Sequence, residues 1–175
     1  MKLILLIVIG VIAGIALLAG VVALIGSRLP KNHSASRSVF LHQSPDQIYA
    51  VVRDFASGPA WRSDVKRIDV HTRPGEPVQF REEGKNGKVN FELAEDIPSR
   101  RMVTRILDTD LGYSGKWTYV FTAENGGTRV TITEDGEVSN VLFRFMSHYV
   151  FGHTATLDGY LNSLAKRFGE NATPQ

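Results

Sequence analysis

From Leu3 to Ile25 the chain carries no charged or strongly polar side chain, only Leu, Ile, Val, Ala and three glycines. A helix over such a run is long enough to cross the hydrocarbon core of a bilayer. A secretory signal would have a shorter apolar region and a small-residue cleavage site. Val21-Val22-Ala23 offers a weak one, but the apolar run continues past it. The segment is therefore read as an uncleaved anchor over residues 1–27, placing the protein at a membrane. The nearest basic residues are Lys2 before the run and Arg28, Lys31 and Arg37 after it, and the positive-inside rule favours a cytoplasmic domain. Gly10 and Gly14 match the GxxxG spacing through which two such helices can pair as a homodimer. A span that merely tolerates glycine has the same spacing.

The rest of the 175 residues is the size of one domain. Residues 28–35 read as a short polar linker containing Pro30, which keeps the domain close to the membrane surface. Ser36 to His42 alternates as a strand. Ser44-Pro45-Asp46-Gln47 is a helix start with a capping box and proline at the first position. That helix carries Ile48, Val51, Val52 and Phe55 on one face and ends before Gly58-Pro59. From Val65 the period becomes two, with strands expected at 65–72, 77–83, 88–94, 101–108, 114–123 and 128–138. Short turns separate them, among them Gly84-Lys85-Asn86-Gly87 and Asn125-Gly126-Gly127, so the neighbours are antiparallel. From Asn140 to Phe168, apolar residues return at steps of three and four: Leu142, Phe145, Met146, Tyr149, His153, Leu157, Tyr160, Leu161, Leu164 and Phe168. A single helix over that run is roughly 40 Å long and needs a curved sheet to cover its stripe. Residues 169–175 are expected to fray. The fold class is α+β.

Composition removes several kinds of chemistry. With no cysteine there are no disulfides, no thiolate catalysis and no cysteine-ligated metal. Twenty Lys and Arg against eighteen Asp and Glu give no charge argument for nucleic acid as a partner. The sequence lacks the GxSxG, HExxH, GxxxxGK[ST] and GxGxxG signatures, and its five histidines show no metal-ligand spacing. No metal or cofactor is implied.

Candidate site residues come from the faces. Trp117, Tyr119 and Phe121 share one side of a strand, where rings of that size either pack as core or leave room for a ligand. Strict alternation puts Glu134 on the face of Val130 and Ile132. A buried carboxylate needs a partner, protonation or water, and the candidates are His153, Arg144 and the Tyr119 hydroxyl. Alternatively, Glu134 ends its strand and caps the next turn. Glu134 and His153 are the candidate catalytic groups. Trp61, Phe80, Phe91 and Tyr149 complete the candidate ligand-binding set with Trp117, Tyr119, Phe121, Glu134 and His153.

The element order and four local runs resemble a known group: Ser44-Pro45-Asp46-Gln47-Ile48-Tyr49, Trp61-Arg62-Ser63-Asp64-Val65, Gly115-Lys116-Trp117-Thr118-Tyr119 and Thr133-Glu134-Asp135-Gly136-Glu137. The chain from Ser36 to Phe168 is similar to the polyketide cyclase/dehydrase and lipid-transport branch of the START/Bet v 1-like (SRPBCC) superfamily. The resemblance implies a helix-grip fold, a seven-stranded antiparallel sheet wrapped around a long C-terminal helix, here preceded by the N-terminal membrane helix. It implies a hydrophobic cavity for a lipid, quinone, polyketide or similar apolar molecule. Three functions are compatible with it: a membrane-anchored carrier of an apolar ligand, a cyclase or dehydratase using Glu134 or His153 as general acid/base, or a protein-interaction domain without ligand.

Overall fold

The structure, a computed structural model, describes residues 2–85 and 87–175. Helix α1 (Lys2–Arg28) is followed by β1 (Asn32–Leu41), α2 (Pro45–Arg53), a 3₁₀ turn (Phe55–Ala60), β2 (Val65–His71), β3 (Gln79–Gly84), β4 (Gly87–Ile97), β5 (Arg101–Ile106), β6 (Tyr113–Glu124) and β7 (Gly127–Val138). The chain then forms α3 (Val141–Met146), a π-helical turn (Ser147–Phe151) and α4 (Ala155–Arg167). Asn86, in the expected β3–β4 turn, lies outside the described residues. The seven strands form one antiparallel sheet in the order β1-β7-β6-β5-β4-β3-β2. This is the expected helix-grip.

Local chemistry explains the first turn after β1. The Ser44 hydroxyl accepts from the Gln47 amide, and the Gln47 side chain accepts from the Ser44 amide at 3.1 Å. Pro45 occupies the first helical position, where no hydrogen bond is lost.

Register decides the inner face. Val39 pairs Val130, which pairs Phe121; Ala35 pairs Glu134, which pairs Trp117. Tyr119 pairs Met102 and Trp117 pairs Thr104, so Met102, Thr104 and Ile106 point inward, a choice the near-equal hydrophobicity of β5's two faces leaves open in the sequence. Leu157, Leu161 and Leu164 of α4 are fully buried against Val39, Leu41, Val130, Ile132 and Met102, with Ile48 of α2 closing the end. Apolar area removed from water stabilises this packing at roughly 25 cal/mol per Å².

Three segments differ from the sequence reading. The strand β1 starts at Asn32, so residues 32–35 belong to the sheet and only Leu29–Lys31 separates it from α1. Residues 169–175 are pinned rather than frayed. Ser38 on the edge strand exchanges two backbone hydrogen bonds with Gln175, both 2.9 Å, and Ala172 packs on the core. An edge strand has unpaired amides and carbonyls, and the tail supplies partners.

The single long C-terminal helix is the largest correction. It is broken at Gly152, whose φ of 71° and ψ of 170° lie in a region essentially reserved for glycine. Beyond the break, α4 buries its stripe. Before it, Leu142 and Tyr149 are 60% and 58% exposed, so the unbroken helical period in the sequence does not correspond to one buried face. Nothing crowds a Cβ added at Gly152, which makes Gly152→Ala a pure backbone test. The variant should lose about 1–3 kcal/mol of stability, read as a lowered midpoint in denaturant unfolding of the full chain in detergent. An unchanged midpoint would show that the break is not held by this conformation.

Candidate functional site

Because α4 begins only at Ala155, it leaves part of the inner face uncovered. That part encloses a cavity of about 650 Å³, inside the roughly 300–1,000 Å³ range of small-molecule sites. One wall is aromatic. Phe55 stacks on Phe80 at 4.1 Å and Phe80 on Phe91 at 5.2 Å. Tyr160 of α4 meets Trp61 and Trp117 edge-on at 5.3 and 5.6 Å. The Trp61 indole N–H is buried without a partner among the described residues.

A first polar group lies where β1, β7 and β6 meet. Glu134 accepts at Oε2 from the Trp117 indole N–H at 2.8 Å and at Oε1 from His33 Nε2 at 3.1 Å. The carboxylate therefore points inward rather than capping the turn. Its partners are neither Arg144 nor Tyr119. The His33 ring can lie there because its register partner is Gly136, where a Cβ would collide with the ring. Facing a carboxylate, His33 Nε2 is the donor of this bond. His153 stacks on His33 with centroids 4.2 Å apart but makes no hydrogen bond to Glu134. Burial, and then the charge of His33, hold His153 below its ordinary pKa of 6.5; Glu134 opposes this shift and His148 adds to it.

A second polar group crosses from the 3₁₀ turn to β3. The Arg62 guanidinium donates to both oxygens of Glu82, 2.9 Å from Nη2 to Oε2, and to Asp64 at 2.8 Å. It also sits 5.2 Å from the centroid of Tyr160. Burial opposes the charge on Arg62, but Glu82 and Asp64 overcome it and raise its pKa. Burial likewise disfavours ionised Asp64, and the bonds and charge of Arg62 hold it below the carboxylate range. Deeper in, burial pushes the Tyr119 and Tyr160 hydroxyls well up, so both stay neutral donors.

Of the residues expected at a site, Trp61, Phe80, Phe91, Trp117, Tyr119, Glu134 and His153 line the cavity. Phe121 does not: it is buried against Tyr49 at 5.8 Å, in the closed half of the core. Tyr149 points outward. Sequence reasoning missed His33, Arg62, Glu82 and Tyr160. Glu82 was findable, since it follows Phe80 by two and shares its face, the same alternation that exposes Glu134. No periodic signal marks His33, which lies in the stretch read as linker.

Two measurements test these assignments. Arg62→Met leaves the largely buried Glu82 and the part-exposed Asp64 without their cation and should cost about 3 kcal/mol, the low end for a broken buried pair; a loss under about 1 kcal/mol, the size of a surface pair, would mean the cluster is solvated. His153 makes stability pH-dependent in a defined direction. The unfolded chain takes up the proton near pH 6.5 and the folded chain only lower, so stability falls as pH drops below about 6.5. Melting curves from about pH 7.5 to about pH 5 should fall more steeply for the native chain than for His153→Asn. Parallel slopes would show that His153 does not titrate in a depressed range.

Several known proteins share this architecture. A START superfamily protein from Mycobacterium smegmatis superposes with a TM-score of 0.62 at 18% identity, over 77% of this chain and 96% of that one. The Zhui aromatase/cyclase from Streptomyces sp. R1128 gives 0.65 at 12% identity, over 78% and 93%. Norcoclaurine synthase from Thalictrum flavum gives 0.63 at 10% identity, over 79% and 87%. These identities speak for the fold alone. No curated protein matches the chain in sequence. A family model described as polyketide cyclase / dehydrase and lipid transport matches residues 32–169, from the first residue of β1 to just past α4. The chain belongs to that family.

Proposed function

We propose that this protein is a membrane-anchored binding or transport protein for an apolar small molecule of the lipid, quinone or polyketide kind. The observation that carries the reading is the 650 Å³ cavity, walled by stacked aromatic rings and more apolar than polar in surface. Burial of apolar ligand surface supplies the affinity, at roughly 25 cal/mol per Å². The free Trp61 N–H, the neutral tyrosine hydroxyls and the Glu134–His33 pair supply orientation. Helix α1, 27 residues long and apolar enough to cross a bilayer, keeps the domain at the source of such ligands. A protein-interaction domain without ligand would have a closed core, and the cavity weighs against it.

One observation favours a second reading. The Glu134–His33 pair with His153 stacked upon it resembles an acid/base array, which would serve a cyclase or dehydratase acting on a polyketide-like substrate. Both readings are tested on the full chain, extracted gently from its membrane and weighed by native mass spectrometry with its ligand released. Binding predicts one apolar molecule per protein. Glu134→Gln separates the two readings. A carrier should hold the same molecule in both proteins. A dehydrating enzyme should hold, in the variant, a species heavier by one water than that in the native protein. An empty native protein that also refuses a panel of lipids and quinones would overturn both.

A further inference from the structure

Arg144 is a charged residue on α3, yet it is only 5% exposed and has no acidic partner among the described residues. Its guanidinium is used up on four backbone carbonyls: Gly26 and Leu29 at 3.2 Å each, Val138 at 3.0 Å and Ser139 at 3.1 Å. The Gly26 carbonyl belongs to the last turn of α1, where carbonyls have no helical partner and the dipole is negative. Gly26 itself is the one buried residue of α1, and a Cβ there would collide with the Val141 carbonyl. Helix α1 is therefore stapled to α3 by a cation and by close backbone contact. Leu29–Lys31 is no swivel either, since Lys31 accepts from the Val138 amide at 2.8 Å.

The staple sets depth. The apolar run ends at Ile25 and, at about 1.5 Å per residue, slightly exceeds the roughly 30 Å hydrocarbon core. Gly26, and α3 with it, then lie at the boundary between acyl chains and headgroups, and exposed Arg28 and Lys31 follow at headgroup level. At this depth the domain shows its apolar surface. Outside α1, among the described residues, the exposed large apolar side chains are Val70 and Ile97, apart on strands, and Leu142, Phe143, Tyr149 and Val150, together on α3 and the π-helical turn. The same nine-residue stretch forms the cavity wall with Phe143 and Ser147, and Gly152 and His153 follow at once.

Resting on the anchor reading above, we infer that Leu142, Tyr149 and Val150 are seated in the bilayer interface, so that one stretch of peptide is both the wall of the cavity and a lipid-facing surface. The occupant of this surface is the membrane that holds α1. The seating explains why the apolar period of the C-terminal segment continues through residues that nothing in the protein covers. It also explains why a guanidinium is buried to hold two helices together.

The chain has no cysteine, so single Cys substitutions at 142, 149 and 150 can each carry a nitroxide in the otherwise native full chain. Leu17→Cys reports α1, and Glu76→Cys in the distant β2–β3 turn reports water. The proteins are reconstituted in phosphatidylcholine/phosphatidylglycerol vesicles, and collision with oxygen is compared with collision with a water-soluble nickel chelate by electron spin resonance. The expected result is oxygen-dominated relaxation at 17, a shallower oxygen preference at 142, 149 and 150, and nickel dominance at 76. Nickel dominance at 142, 149 and 150 with 17 still in lipid would overturn this inference and leave the anchor intact. Nickel dominance at 17 would overturn the anchor reading itself, and the inference with it. All three test positions are exposed, so labelling there does not ask the core to yield.

Discussion

Leu157, Leu161 and Leu164 lie against Val39, Leu41, Val130 and Ile132 with essentially no exposure, and this contact between α4 and the inner face of β1 and β7 holds the domain together. It is also what limits the helix. A straight helix from Asn140 to Phe168 would press its first half down the length of the sheet and fill the space between them. By turning at Gly152 the chain keeps the leucine contact and lifts α3 away. The cavity is thus a consequence of where the C-terminal segment bends as much as of the large rings that line it.

Inside that space the most buried charged groups make their hydrogen bonds to one another. Arg62 satisfies Asp64 and Glu82, and Trp117 and His33 satisfy Glu134. Buried charges are tolerated only on such terms. In the cavity wall the Trp61 N–H has no partner among the described residues, and beside it stand tyrosine hydroxyls held neutral by burial, a set suited to orienting a mostly apolar molecule. The Glu134–His33–His153 array differs in kind. It joins three titratable side chains from β1, β7 and the break before α4, and it is possible only because Gly136 leaves room for an imidazole against the sheet.

Arg144 links this interior to α1. Its four carbonyl bonds convert what reads as a short polar linker into a joint, and they place the exposed apolar side chains of α3 beside the end of the apolar helix. Apolar helix, broken segment and cavity wall thereby become one mechanical unit.

The periodicities along the chain were enough to identify seven strands, the capped α2 and the helix-grip layout, because alternation and capping are local and each strand repeats them. The inward placement of Glu134 and Trp117 was legible for the same reason. Phe121 and Tyr149 were assigned to the ligand because face alone cannot say which part of a face is covered. Arg144 stood off the apolar stripe, and a charge in that position ordinarily faces water; two of the four carbonyls that hold it come from residues more than a hundred positions earlier. His33 likewise acquired its place only because β1 pairs with β7 from Asn32, four residues before the expected start. The sequence by itself determined the elements, their pairing sense and the apolar helix at the start, since these follow from short-range pattern. Only the tertiary structure decided where the C-terminal helix breaks, which rings enclose the cavity and how α1 is fixed to it, since these depend on contacts between segments far apart in the chain.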